Sequence, residues 1–350
     1  MHGEYKVPGG KLVAADLELN EAGDTIAAAV ISGDFFLEPA EAIGAVNGAL
    51  VGVPVATKAR DLAALVAEAF GDATLVGFTA DAVATAVRRA LGHATGWEHH
   101  TFEVIHDEPR EPHLQMALDE VIARAVGDGE RGPTLRIWEW ERNAVVIGSF
   151  QSLRNEVDAE GARKHDITVT RRVSGGGAMF IQPGNTITYS LYLPASLVDG
   201  LSFERSYAFL DDWVIGALRE LGIDATYVPL NDIASPAGKI AGAAQKRYAS
   251  GAVLHHVTMA YDIDADAMLE VLRIGREKLS DKGTKSANKR VDPLRSQTGM
   301  AREQIVEAFL AYFAGRYATT QGTVRPHELE RASGLVDTKF ASEAWIGLVP

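Results

Sequence analysis

The sequence predicts an α+β protein built in two parts. Runs that alternate apolar and polar residues, the mark of strands with one buried face, occur at residues 11–19 and again at 185–193. Helical spacing of apolar residues lies between such runs, most clearly over residues 203–221, where Leu210, Val214, Ala217 and Leu221 fall in register. Residues 92–101 are polar, contain Gly92 and Gly96 and follow neither period, so a domain boundary is expected there. Strands mixed with helices in this way suit a mostly antiparallel sheet with helices packed on it.

Composition narrows the class. The chain has 350 residues, 47% hydrophobic and 23% charged, which is enough for two globular domains. No apolar run approaches the roughly 18 residues of a membrane-crossing helix, and no basic-then-apolar leader opens the chain, so a cytoplasmic protein with no membrane partner is expected. The net charge of −13 argues against nucleic acid as a partner. There is no cysteine, hence no disulfide framework, no thiolate metal site and no thiol nucleophile.

Residues 1–95 read as a small α+β unit. Residues 11–19 form a strand, 20–24 a turn around Gly23, and 25–32 the second arm of a hairpin. Pro39 opens a helix that runs to Leu50 with Ile43 and Val46 on one face, and residues 60–70 form another. Thr79 is a good N-cap for a helix over 80–91 carrying Val83, Val87 and Leu91. His93, His99 and His100 cluster at the boundary, in a spacing that matches no common metal-ligand pattern.

The second part, residues 96–350, begins with a helix over 113–125 whose apolar face is Leu114, Ala117, Leu118, Val121 and Ala125. Short strands follow at 135–140 and 144–148. Trp138 and Trp140 stand two apart, on one strand face, and are expected in the core. In 185–193, Ile187, Tyr189, Leu191 and Leu193 point one way, and Thr186, Thr188, Ser190 and Tyr192 the other. A strand over 252–262 and a helix over 300–314 with Ile305, Phe309 and Phe313 complete the pattern.

The chemistry concentrates around Arg171-Arg172-Val173-Ser174-Gly175-Gly176-Gly177-Ala178-Met179-Phe180, which follows a strand-like run. Three glycines carry no Cβ, so the backbone can come close to a ligand. Free N–H groups in such a turn suit a phosphate or carboxylate, and the arginines add charge. No Walker motif is present. Farther on, Lys239 precedes the small residues Gly242-Ala243-Ala244, which let a strand pass close to a bound molecule. Asn231 and Asp232 read either as a turn before Ile233 or as polar groups for a nucleotide or its Mg²⁺.

Several ordered motifs carry a resemblance. Arg171-Arg172-x-Ser174-Gly175-Gly176-Gly177-Ala178, then Gly184-Asn185, is similar to the RR-x-S/T-GGGAV…GN of lipoate–protein ligases. Asn231-Asp232 and Lys239-Ile240-Ala241-Gly242-Ala243-Ala244 resemble that family's ND and lysine motifs, and Leu254-His255-His256 resembles its L-W/H-H. Val146-Ile147-Gly148-x-Phe150-Gln151 with Glu156 resembles VVIG-x-F/A-Q…E, and residues 340–345 resemble the end of the catalytic domain. The resemblance implies a biotin/lipoate ligase-like catalytic domain over 96–350. It also implies an accessory domain fused in front over 1–95, where residues 6–11 and 31–36 are similar to that module. The implied activity is ATP-dependent attachment of lipoate to a lysine of an acceptor protein through lipoyl-AMP. Lys239 is then the catalytic residue. Arg172, Gly175, Gly176, Gly177, Ala178, Met179, Phe180, Asn231, Asp232 and His256 bind ATP and the adenylate, with Asp232 toward Mg²⁺. Implied partners are lipoyl domains of 2-oxoacid dehydrogenase complexes and the glycine cleavage H protein.

One position departs from the family pattern. Ile181 stands where histidine is usual, and it is expected to face the acyl or adenylate pocket. The roles of Arg171 and Arg172 are not separable from sequence. The basic residues between Arg273 and Arg295 are expected to close over the adenylate, to dock an acidic acceptor, or to form a solvated face. Related octanoyltransferases carry the acyl group on a cysteine, which this chain lacks, and the G-R-G-R-x-G-R loop of biotin ligases is absent. A non-catalytic adenylate-binding relative, or a ligase for another medium-chain acid, is the alternative.

Overall fold

A computed structural model describes residues 1–273 and 292–349. The basic run thus lies largely outside the described residues. Its two ends are seen: Arg273 donates to the Arg154 carbonyl at 2.9 Å, and Arg295 pairs with Asp262 at 2.8 Å. The chain forms two compact units, Met1–His99 with Ala195–Phe209, and His100–Pro194 with Leu210–Pro350.

In the first unit, β1 (His2–Lys6), β2 (Leu12–Leu19) and β3 (Ile26–Gly33) make an antiparallel sheet in that order, with Asp16 opposite Val30 in the hairpin. The strand β1 has little apolar signal of its own. Pairing with β2 makes it a strand, and it buries Gly3 and Tyr5. A Cβ on Gly3 would stand 2.2 Å from the backbone nitrogen of Ala90, so this strand and the helix Ala80–Ala90 meet backbone to backbone. Helices α1 (Ala42–Leu50), α2 (Ala59–Phe70) and α3 (Ala80–Ala90) complete the unit, with the small pair β4 (Phe36–Glu38) and β5 (Thr74–Val76). Thr79 caps α3, its hydroxyl accepting from the Ala82 N–H at 3.3 Å. Residues 195–209 join this unit through Thr95 N–H to the Ser196 carbonyl at 2.9 Å, Arg205 to Asp81 at 2.7 Å, and the Arg88–Asp199 pair.

The second unit holds a large mixed sheet and a small one. The large sheet uses β6 (Phe102–His106), β7 (Thr134–Trp138), β11 (Thr186–Pro194), β12 (Thr226–Val228), β13 (Asp232–Ser235), β14 (Gly238–Arg247), β15 (Ala252–Ala260) and β16 (Thr319–Gln321). Its order is β12-β13-β14-β15-β11-β7-β6-β16, antiparallel except where β6 runs parallel to β7 and β16. The small sheet joins β8 (Ala144–Ile147), β9 (Thr168–Arg171) and β10 (Met179–Ile181) in the order β10-β8-β9. The helix α4 (Pro112–Gly127) packs on β11 and β15 and is buried on nearly every side.

The alternation read in β11 is real, yet both of its faces are buried, including Thr188, Ser190 and Tyr192. A central strand covered on both sides must satisfy its polar side chains internally. Here Trp138 Nε1 donates to Ser190 Oγ and Trp140 Nε1 to Thr188 Oγ1, each at 3.1 Å. The two tryptophans are core, as expected, at 1% and 4% exposure.

Candidate active site

The glycine turn between β9 and β10 lies against the turn that follows β8. The approach is tight: a Cβ at Gly148 would stand 2.2 Å from the Gly176 carbonyl oxygen, and Gly176 has a φ of +98°. Both positions therefore require glycine. Arg172 shapes the turn from behind. Its Nε and Nη2 donate to the Gly175 carbonyl at 3.1 and 2.7 Å, Nη2 also to Gly177 at 2.9 Å, and Nη1 to Val146 at 3.2 Å. With carbonyls drawn toward the guanidinium, the N–H groups of Gly175, Gly176 and Gly177 have no hydrogen-bond partner among the described residues. Unpaired successive N–H groups form a nest suited to an anion.

The two arginines separate in the structure. Arg171 is fully buried and donates to the carbonyls of Trp345, Ile346, Gly148 and Gln151 at 2.7–2.9 Å. It ties the chain's last turn, Glu343–Ile346, to the site's frame. Arg172, at 3% exposure, donates to Ser174 Oγ and to the Gly175 and Gly177 carbonyls, so its first task is to hold the nest.

Lys239 stands at the start of β14 and shares a pocket wall with Gly177 of this turn. A shift in register between Ile233 and Ala234 brings it beside β13, where Nζ pairs with Asp232 Oδ1 at 2.6 Å. A Cβ at Gly242 would stand 3.3 Å from Nζ, so the bare glycine keeps that space open. Asn231 is fixed by donating to the Ala243 carbonyl at 2.6 Å.

Two adjoining pockets share Ala178, Met179, Lys239, Gly242 and Thr258 in their walls. The first also has Met116, Trp138, Val146, Arg172, Asn231 and His256; the second has Phe180, Gln182, Asn185, Ile240 and Met268. Lys239 thus stands where an occupant of one pocket would meet an occupant of the other. Of the residues expected at the site, Arg172, Gly177, Ala178, Met179, Phe180, Asn231, Lys239 and His256 line a pocket, while Gly175, Gly176 and Asp232 adjoin it through the turn and the ion pair.

Ile181 does not face either pocket. It is fully buried, paired with Ala144 across β10 and β8 and packed in the core with Trp140 and Phe340. Strand alternation sends it inward and leaves Gln182 at the second pocket. The expectation that it contacts substrate is therefore corrected: the departure from histidine is a core substitution. Ile181→Val should cost about 1 kcal/mol of stability and leave both substrate KM values unchanged. Chemical denaturation with steady-state kinetics checks this, and a severalfold KM change in the folded variant would return Ile181 to the site.

His256 emerges on the face of β15 opposite to His255, which pairs with Asp211 at 2.7 Å. Its Nε2 is 2.6 Å from Ser174 Oγ and its Nδ1 is 2.7 Å from Asp119 Oδ2. Burial holds its pKa below the ordinary imidazole value, against the pull of Asp119. Asp119 escaped the sequence reading. The available signal was the acid pair Asp119-Glu120 inside helix residues 116–126, which are otherwise apolar apart from Arg124.

The model for the lipoyl protein ligase A/B catalytic domain matches residues 111–314. The chain belongs to this family. Lipoate-protein ligase A subunit 1 of Thermoplasma acidophilum is 30% identical over 250 residues, 68% of this chain and 93% of that protein. Octanoyltransferase LipM of an Exiguobacterium species is 28% identical over 274 residues, 70% of this chain and 98% of the relative. Among solved structures, the bipartite archaeal lipoate protein ligase studied with its E2 lipoyl domain, from T. acidophilum, aligns with a TM-score of 0.63 at 29% identity, covering 74% and 98% of the two chains. Lipoate-protein ligase A bound with ATP aligns at 0.60 with 25% identity, covering 71% and 99%. The relatives thus include lipoate-protein ligases, one of them solved with ATP, and octanoyltransferases.

Among the described residues no group of three or more metal-ligating side chains occurs, and no helix is long and apolar enough to cross a membrane. Among the described residues, the carboxylate paired with Lys239 is Asp232, at the edge of the first pocket. That fits a Mg²⁺ brought in on nucleotide phosphates better than an ion held by protein alone.

Proposed function

We propose that this chain is an ATP-dependent lipoate–protein ligase that forms lipoyl-AMP and passes the lipoyl group to a protein lysine. The observation that carries this is Lys239, a cation on the wall shared by two pockets, the first of which also has Gly177 of the glycine turn in its wall. The first pocket, walled by Met116, Trp138, Val146 and Met179, takes the acyl chain; the second takes the nucleotide. In the first step a carboxylate oxygen attacks the α-phosphorus of ATP and pyrophosphate leaves. Two anions must approach, so positive charge placed beforehand lowers the barrier. Asp232 would be the protein ligand of a Mg²⁺ accompanying the nucleotide, and that ion would supply charge neutralisation. In the second step the acceptor lysine attacks the acyl carbonyl and AMP leaves.

Transfer without ATP from an octanoyl thioester is the competing reading, favoured by the LipM likeness. The absence of cysteine supports the ligase, because no thiol is present to carry the acyl group. In the same reading residues 1–95, which lie in the unit of Met1–His99 with Ala195–Phe209, are the accessory domain, and lipoyl domains of 2-oxoacid dehydrogenases and the glycine cleavage H protein are the acceptors.

The deciding assay is ATP–pyrophosphate exchange, run with lipoate and separately with octanoate. Lipoate-dependent exchange is expected. No exchange with either acid, together with octanoyl transfer from a carrier thioester, would replace the ligase with a transferase.

A further inference from the structure

Asp119 is a buried carboxylate, 2% exposed, that the two-step reaction above does not use. Its Oδ1 accepts the hydroxyls of Ser190 and Tyr192 at 2.8 and 2.7 Å, and its Oδ2 faces His256 Nδ1 at 2.7 Å. His256 Nε2 faces Ser174 Oγ at 2.6 Å, and Ser174 Oγ accepts Arg172 Nε–H at 3.1 Å. These contacts run without a gap from α4, across β15, to the glycine turn.

The order of donors follows from the two ends. A carboxylate that already accepts two hydroxyls requires a proton on His256 Nδ1. Nε2 of the neutral ring is then an acceptor and takes the Ser174 hydroxyl proton. That leaves the Ser174 oxygen to receive the N–H of Arg172, the same guanidinium that draws in the Gly175 and Gly177 carbonyls.

We infer that Asp119 is a positioning residue: through His256 and Ser174 it holds the glycine turn with its N–H groups free for the reacting anion. The inference rests on the ligase reading for its kinetic consequence. Serine, histidine and aspartate in this order also serve nucleophilic catalysis in hydrolases. Here Ser174 is 1% exposed, lines neither pocket and already accepts an arginine N–H, so its hydroxyl is a tie and not a nucleophile.

Asp119→Asn tests this with little change of shape. The amide N–H then points at Nδ1 and moves the ring proton to Nε2. Nε2–H and Arg172 Nε–H would converge on one serine oxygen, and the Ser174 proton would lose its acceptor. Long-range proton–nitrogen correlation spectra should show His256 changing tautomer. Lipoate-dependent exchange should fall roughly a hundredfold, the scale of one lost anion-stabilising group. Ser174→Ala should lose a similar factor, and the double variant should be no worse than either single one, because one tie cannot be cut twice.

Losses that multiply in the double variant, an unchanged tautomer with unchanged exchange, or an acyl ester trapped on Ser174 would overturn the inference. Should Asp119→Asn fail to fold, Asp119→Ser combined with Ser174→Ala provides the same coupling test. If the wild-type chain shows no lipoate-dependent exchange, the ligase reading fails by itself. The tautomer and the Gly175–Gly177 amide signals of the variant then still decide whether Asp119 holds the turn.

Discussion

Lys239→Ala should abolish detectable lipoyl-AMP formation while leaving the protein folded. The two halves of that expectation have separate physical grounds. Lys239 is nearly half exposed, and its partner Asp232 is a third exposed, at 45% and 34%. Removing such a pair costs about 0–1 kcal/mol of stability, since water screens it and the freed carboxylate stays solvated. The reacting centre is different. In the proposed reaction the lysine would face a developing pentavalent phosphate, with substrates filling both pockets and excluding water. Loss of one preorganised cationic donor in such a setting costs roughly a hundredfold to a thousandfold in rate, or about 3–4 kcal/mol. Lys239→Arg keeps the charge but replaces a compact ammonium by a broad planar fork, beside a glycine that leaves only 3.3 Å for a Cβ. It should recover little. Exchange assays alongside thermal melts separate the two halves. A folded Lys239→Ala protein with pyrophosphate exchange near the wild-type rate would remove Lys239 from the chemistry.

The largest effect on stability is expected at Arg171→Ala. This guanidinium has no exposure and bonds five carbonyls, those of Gly148, Ser149, Gln151, Trp345 and Ile346. Trp345 Nε1 returns a bond to the Arg171 carbonyl at 2.9 Å, so the contact is reciprocal. Truncation leaves buried acceptors without donors and opens a cavity. Each orphaned group costs about 1–3 kcal/mol before water enters; a net loss of about 3–5 kcal/mol follows once the site relaxes. The segment Glu343–Ile346 should lose protection against hydrogen exchange along with the turn after β8. Denaturant unfolding and hydrogen exchange read these together. A loss below about 1 kcal/mol, with the last turn still protected, would mean that the carbonyls find other donors and that Arg171 is not the tie. Activity should fall too, since Gly148 is pressed against Gly176 and any slack there reaches the nest.

The fold was legible where a local pattern had one physical meaning. Thr79 before an apolar-periodic run announced the α3 cap, and the alternation on either side of Gly23 announced the β2–β3 hairpin. The strand β1 was not legible, because Tyr5 is its only large apolar residue and its state depends on β2. The β11 alternation gave the two faces correctly. It could not say that α4 covers the polar face, nor that Ser190 and Tyr192 on that face are partners of Asp119.

The sequence by itself determined the family, the glycine turn, the lysine that follows it and the histidine near it, because each is a short run whose chemistry depends on its neighbours in the chain. Tertiary structure alone decided what these residues do to one another. Ser174 and His256 are 82 residues apart and Asp119 and His256 are 137 apart, so no local period links them. Arg172 turned inward to the loop's carbonyls and Arg171 to the last turn, although both are the same residue type one position apart. Ile181 went to the core because strand direction, not residue preference, sets which way a side chain points. Periodicity states that a face is buried; only packing states against what, and that choice separates a residue that binds substrate from one that holds the binder in place.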